Sequence, residues 1–261
     1  MVSSRFILYS SHMASTTMIQ PSALEWLVGS EPTTTLLVGA SSGYASLLVR
    51  AGHAVTVMDP DTEALKEVAF QVPGVHIVAG KAESLPFDPG CFSSVLSIQN
   101  FHTFASGMAL GEWARVLKYQ GTVGLAYMTR DDTVPWVNKL KRIVQYYLPH
   151  AMSSDYGSYS VAAFTAAAYF PQVEKISFRH WIPSTKTELQ ESACNTTGAS
   201  ELGEERRAAM LEEIGELYDQ YARIPNPLLL PYTIQCWKAV VDQSSLTMPL
   251  IPGDDGLSIP L

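Results

Sequence analysis

Cysteine is scarce in this chain of 261 residues: Cys91, Cys194 and Cys236 are odd in number and far apart. That excludes a disulfide framework and the close-spaced ligand pairs of a zinc site, so no metal is expected and a reducing, cytoplasmic setting fits. Charge is sparse too, at 16% of residues against a globular average of roughly 25%. Basic residues are the rarer sign, 17 against 25 acidic for a formal charge of -8. A chain that neutralised a phosphate backbone would be basic, so nucleic acid is not expected as a partner. No apolar run approaches the ~18 residues of a membrane span; the stretch VAAFTAAAYF (161–170) falls well short. Stable membrane insertion is therefore not expected, while peripheral membrane contact stays open. Repeats and low-complexity blocks are absent between the ends.

What is present is apolar residue, 47% of the chain, which excludes intrinsic disorder and suffices for one large domain. The first 18 residues lack a helical or strand period, and SSHMAS resembles an expression-vector scar; they are set outside the fold as a disordered or tag-derived terminus. Residues 19–241 read as a single domain, and 242–261, rich in Ser, Pro and Gly, as a loosely packed tail. Within the domain, strands and helices alternate. TTTLLVG (33–39), HAVTVMD (53–59), VHIVAG (75–80), SSVLSIQ (93–99) and GTVGLAYM (121–128) are strand-like runs, and helical patterns follow the first, second and fourth. VEKISFRHWI (173–182) and PYTIQCWKAVV (231–241) are long enough to pair with each other as an antiparallel edge. PWVNKLKRIVQYYL (135–148) and 203–222 are helices, the second with Leu211, Ile214, Leu217, Tyr218 and Tyr221 on one stripe. The expectation is an α/β, Rossmann-like seven-stranded, mostly parallel sheet with helices on both faces and an antiparallel last strand.

In such a sheet a ligand sits outside the carboxyl ends of the strands, near the point where strand order reverses. Gly39, Ala40, Ser41 and Gly43 turn the first strand into the next helix, letting backbone approach a ligand and offering free N–H groups. Asp59 ends the second strand 20 residues later, where its carboxylate can accept from both hydroxyls of a ribose. A nicotinamide dinucleotide needs G-x-G-x-x-G, and Ser41 stands where the second glycine would fall, so that cofactor is disfavoured. His102 follows the fourth strand and is the candidate base. Arg130, Asp131 and Asp132 after the fifth strand read as a loop ion pair and a helix start, and Lys139, Lys141 and Arg142 as a solvated face.

Four blocks, LLVGASSGYASLLVRAGHAVTVMDPD (36–61), VAGKAESLPFDPGCFSSVLSIQNFHTF (78–104), WARVLKYQGTVGLAYMTRDDTVPWV (113–137) and LPYTIQCWKAV (230–240), resemble the class I S-adenosylmethionine-dependent methyltransferases. The similarity is to their small-molecule branch, ubiquinone/menaquinone C-methylase-like or trans-aconitate methyltransferase-like. It implies S-adenosyl-L-methionine across Gly39 to Gly43, ribose on Asp59 beside Pro60, adenine near Ala82 and Glu83, and Gln99 as a further cofactor-binding residue. It also implies that the insertion of about 129–171, a helical lid between strands five and six, covers a small-molecule acceptor. Eight aromatics lie there, of which Trp136, Tyr147 and Tyr159 are the expected acceptor contacts. Three positions depart from the family pattern: Leu37 replaces an acid, Ser41 a glycine, and Lys81 an Asp. They define the alternative, a methyltransferase-like protein without catalysis that serves as a binding or regulatory partner. Oligomeric state, and O-, C- or N-methylation, are left open.

Overall fold

The computed structural model describes residues 19–104, 106–149, 151, 158–196, 198–223 and 226–247. The expectations for residues 1–18 and for the tail beyond 247 lie outside the described residues. The seven strands are β1 (Thr34–Val38), β2 (Ala54–Asp59), β3 (His76–Ala79), β4 (Phe92–Ile98), β5 (Leu117–Arg130), β6 (Val173–Ser184) and β7 (Leu228–Val240). They form one sheet in the order β3-β2-β1-β4-β5-β7-β6. The first five are parallel, and β7 runs antiparallel between β5 and β6. This is the expected architecture, with order reversing between β1 and β4.

Alternation along β5 shows why both sheet faces are covered. Val123, Leu125 and Tyr127 enter a core that holds Leu110 and Trp113 of α4 (Ser106–Val116) and Phe164 of α6 (Ser158–Thr165). Ala126 and Met128 point to the opposite core, with Ala45 and Leu48 of α2 (Ser42–Arg50), Leu65 and Val68 of α3 (Thr62–Gln71), and Leu24 and Leu27 of α1 (Pro21–Val28). Helix α1 carries too few periods to stand out in sequence. It fits here because Gly124 lacks a side chain: a Cβ there would lie 2.5 Å from Leu96 Cδ2 and 3.1 Å from Leu27 Cδ2.

The expected helical insertion between β5 and β6 is present, and its two helices pack apart from each other. Helix α5 (Pro135–Tyr147) packs with α7 (Lys186–Cys194) and α8 (Glu204–Tyr221) in a third core of Trp136, Leu140, Val144, Leu189, Met210, Ile214 and Leu217. Helix α6 instead packs on α4 and on the turn that carries His102. Register explains the division. Arg130 pairs with Tyr232 and Ser184 with Leu228, so β5 ends, β6 ends and β7 begins at one edge of the sheet. Both α5 and the α7–α8 excursion leave from that edge, which is the carboxyl edge of β1, β2 and β4. The buried stripe of α8 is Met210, Ile214 and Leu217 rather than one that includes Tyr221, which is 38% exposed. The start of the tail is also tied down: Gln243 Nε2 donates to the carbonyls of Ala114 (3.1 Å) and Leu117 (2.7 Å) at the end of α4.

Candidate active site

Asp59 organises the turns that follow β1 and β2. Its Oδ2 accepts the Ala40 N–H at 2.8 Å and its Oδ1 the Asp61 N–H at 2.8 Å, so one carboxylate ties the turn after β1 to the end of β2. Two ionised oxygens offer about four lone-pair positions, and two stay available for a ribose diol. The helix cap belongs to Asp61, which accepts the N–H groups of Glu63 (2.9 Å) and Ala64 (3.2 Å), leaving Asp59 for the loop. Gly39 has φ +107, and a Cβ there would collide with the Asn100 side chain. Glycine is thus demanded both by backbone conformation and by the close approach of Asn100, two residues past the end of β4. Ser41 is the N-cap of α2, its Oγ accepting from Tyr44 N at 3.5 Å, with φ −147 that requires no glycine.

The turn from Leu85 to Phe87 is held from a distance. Arg115 of α4 donates through Nη1 to Phe87 O (2.8 Å) and through Nη2 to Leu85 O (3.0 Å), and forms a two-pronged pair with Glu112 at 2.8 and 2.7 Å. Glu112 in turn accepts the Leu85 N–H at 2.7 Å. These bonds give a physical reason for a Leu-Pro-Phe turn and an Arg-Val-Leu helix end occurring together. Ala82 is buried against this core and Glu83 half-buried, whereas Lys81 is exposed.

At the carboxyl end of β4 the backbone turns sharply, with Gln99 at φ +64. The Gln99 side chain receives the Met128 N–H and donates to the Met128 carbonyl, both at 3.1 Å, and so prolongs the β4–β5 pairing. His102 follows on a short 3-10 turn (Phe101–Thr103), its ring centroid 6.0 Å from that of Tyr127 on β5. Burial lowers its pKa below the usual histidine value, because the charged form loses its solvation. Its chain neighbour Phe101 begins a chain of ring contacts through Phe104, Trp113, Phe164 and Phe170 inside the core that α4 and α6 share.

Residues 36–125 match a methyltransferase-domain family, Methyltransf_11. The methyltransferase-like protein C25B8.10 of Schizosaccharomyces pombe is 30% identical over 193 residues, covering 73% of this chain and 75% of that protein. The chain belongs to the class I S-adenosylmethionine-dependent methyltransferases. The demethylmenaquinone methyltransferase of Chlorobaculum tepidum is 28% identical over 145 residues, 52% of this chain and 57% of that enzyme. The chain spans about half the length of four further curated relatives. A solved Anaeromyxobacter dehalogenans structure, provisionally assigned as a type II methyltransferase, shares the fold. Its TM-score is 0.60 at 18% identity, covering 85% of this chain and 96% of that one.

The cofactor of this methyltransferase is S-adenosylmethionine, and the residues present fit it: a side-chain-free approach at Gly39 and spare acceptor capacity on Asp59. The departures acquire structural reasons. Leu37 is 1% exposed and sits in the core with α1 and α2, so packing occupies the place of the acid. Ser41 replaces a glycine with a helix cap. The structure gathers Gly39, Ala40, Ser41, Asp59 and Pro60 at the ends of β1 and β2, with Gly43 inside the first turn of α2. The three lid aromatics are not brought together. Trp136 and Tyr147 lie in the α5–α7–α8 core, where the Tyr147 hydroxyl donates to Glu213 at 2.6 Å, while Tyr159 on α6 is 86% exposed. Among the described residues no group of three or more His, Cys, Asp or Glu could hold a metal, and no helix is long and apolar enough to cross a membrane. Asn100, packed over Gly39 at the switch point, was not singled out in the sequence; its position directly after the fourth strand was the available signal.

Proposed function

We propose that this methyltransferase modifies a small aromatic or lipophilic acceptor, seated at the carboxyl end of β4 and β5 between His102 and the helices that follow β5. Bound S-adenosylmethionine supplies an electrophilic methyl on a sulfonium. Gly39, Ala40, Gly43, Asp59 and Pro60 hold the nucleoside, Ala82 and Glu83 border the adenine, Ser41 orients the helix start, and Gln99 fixes the floor between the two strands. His102 would accept the proton that the acceptor's oxygen or carbon releases on taking the methyl, the cofactor's thioether being the leaving group. A carboxylate or amine nucleophile dispenses with that base, and the remaining acceleration comes from alignment and exclusion of water.

The observation that carries this reading is the position of His102, half-buried on the turn that follows β4 with its ring 6.0 Å from that of Tyr127. The demethylmenaquinone methyltransferase relative supports an aromatic, lipophilic acceptor by its name alone. Of the lid residues, Trp136 and Tyr147 bear on the acceptor by fixing α5 over the strand ends, and Tyr159 by closing from α6. A screen of phenols, lipophilic alcohols, quinols and carboxylic acids with methyl-tritiated S-adenosylmethionine tests the proposal. Label transfer to an aromatic or lipophilic compound, reduced at least 100-fold in His102→Ala, supports it; transfer confined to small polar acceptors overturns it.

A further inference from the structure

At the amino edge of the sheet, opposite the cofactor turn, lies a groove of about 310 Å³. Its walls include Pro32, Gly52 and Ala54, and its polar lining includes Thr34, Ser93 and Lys118. Thr34 opens β1, and five residues, about 17 Å of strand, separate it from Gly39. Lys118 reaches the groove because β5 is irregular there. Phe92 pairs with Leu117 and Ser94 with Thr122, so the four residues from Lys118 to Gly121 stand opposite Ser93 alone. The bulge closes tightly: Gln120 has φ +60, and a Cβ on Gly121 would lie 2.9 Å from the Lys118 carbonyl oxygen. A bulge of this kind re-aims the side chains it carries. Here Lys118 returns over the starts of β1 and β4, its Nζ donating to Thr34 Oγ1 at 3.1 Å and to Ser93 Oγ at 3.3 Å.

These hydrogen bonds leave a surplus of donors. A hydroxyl has one proton to give and two lone pairs. Both lone pairs of Thr34 Oγ1 are taken, by the Ser93 N–H at 3.1 Å and by Lys118. Thr34 therefore directs its own proton to the Cys91 carbonyl at 3.3 Å or to Ser93 Oγ at 3.1 Å, and Ser93 has no way to donate to Thr34. The Ser93 O–H is left with no acceptor among the described residues. Lys118 has three protons for two neutral acceptors and keeps one spare. Among the described residues no carboxylate lies within ion-pair distance of it, every ion pair there belonging to another cation. Spare donors and an unneutralised positive charge at one place are the complement of an anion.

We propose that this groove binds a phosphate dianion, free or carried on a small molecule, at a site separate from the methyl-transfer centre. The Ser93 O–H and the spare Lys118 N–H donate to its oxygens, and the ammonium supplies the charge. A tetrahedral oxyanion suits these donors, because lysine acts as a point charge, whereas a planar carboxylate is matched by the fork of an arginine, and no arginine lines the groove. The space along Pro32, Gly52 and Ala54 exceeds what a phosphate alone fills and admits an attached organic group. Lys118 is exposed, so water screens its charge and the affinity is modest. A ligand held there joins β1, β4 and the β5 bulge at one point and stabilises the folded chain by mass action.

The test is titration with inorganic phosphate and with ribose 5-phosphate at constant ionic strength, followed by amide chemical shifts. The protein is first saturated with S-adenosylhomocysteine, so that phosphate cannot lodge at the start of α2. The expected result is a saturable shift centred on Thr34, Ser93 and Lys118, with a Kd of about 1 mM or tighter. Lys118→Gln, a change to an exposed side chain, should weaken binding roughly 10-fold, and Ser93→Ala several-fold. Lys139→Gln, which alters an exposed lysine on α5, should leave it unchanged. Tighter binding of ribose 5-phosphate identifies a carried phosphate as the ligand, and binding of inorganic phosphate at least as tight identifies the free ion. No saturable shift with either, a shift centred elsewhere, or unchanged affinity in Lys118→Gln overturns the proposal. So does equal weakening in Lys118→Gln and Lys139→Gln, which is general screening, or acetate binding as tightly as phosphate.

Discussion

Replacing Asp59 with Ala removes four interactions at once, and they can be separated. Two are in the protein itself, the 2.8 Å bonds to the N–H groups of Ala40 and Asp61. Two are the proposed ribose hydrogen bonds, for which the carboxylate keeps lone pairs. Hydrogen bonds to a charged group contribute roughly 1.5–3 kcal/mol each before water compensates. With partial compensation the ribose pair is worth about 3 kcal/mol, which corresponds to roughly 100-fold weaker binding. The loop bonds, whose N–H groups regain some water, should contribute about 1–2 kcal/mol to stability, or roughly 3–6 °C in Tm for a domain of this size. Asp61→Ala is the control: it uncaps α3 at a cost of about 1 kcal/mol yet touches no proposed ribose contact. Titration calorimetry with S-adenosylhomocysteine should show the large affinity loss in Asp59→Ala alone, with both variants melting earlier. Affinity within threefold of the parent in Asp59→Ala, or an equal loss in Asp61→Ala, would refute the assignment.

Other outcomes follow from the same geometry. Leu37→Asp, which restores the acid of the family pattern, should destabilise by about 3 kcal/mol or more, since the carboxylate would be buried unpaired among Leu and Val side chains; a stable variant with tighter cofactor binding would show the position faces the site. Arg115→Ala should lower stability by roughly 2–3 kcal/mol and weaken cofactor binding, because the turn from Leu85 to Phe87 loses its clamp; unchanged affinity would place that turn outside the site. Tyr147→Phe should lower Tm by breaking the Glu213 bond, which pushes the Tyr147 phenol up to about 12, and should leave the KM for any acceptor unchanged; a raised KM would make Tyr147 a direct contact. Burial lowers the pKa of His53, His102 and His180, so each opposes protonation when folded. Their stability contribution is present above pH 6.5 and fades as pH falls through the lowered values, as melting curves across that window should record; a Tm rising on acidification there would contradict the burial.

Much of the sheet was legible because its strands are short apolar runs with turn chemistry between them, and both partners of the β6–β7 pair are long enough to find each other. The turn at Gly39 and the carboxylate at Asp59 were legible for a related reason: the geometry they serve depends on backbone and on a fixed offset. The cap was not. Thr185 and Glu188 form a reciprocal capping box that starts α7, a local signal present in the sequence, but nothing local says that α7 and α8 pair with α5 while α6 crosses to α4. That division follows from the register of β6 on β7, which only the folded sheet fixes. Arg130 was misread for a similar reason: adjacency to Asp131 and Asp132 suggested an ion pair, and strand alternation directed its side chain to Ser192 instead.

The most direct measurement of the central claim is a crystal structure of the protein with S-adenosylhomocysteine. The account predicts both ribose hydroxyls within hydrogen-bonding distance of Asp59, the backbone of Gly39 and Ala40 against the ligand, and its sulfur facing the His102 and Tyr127 side of β4 and β5. Ligand bound with its ribose away from Asp59, or with its sulfur turned toward β3, would contradict it.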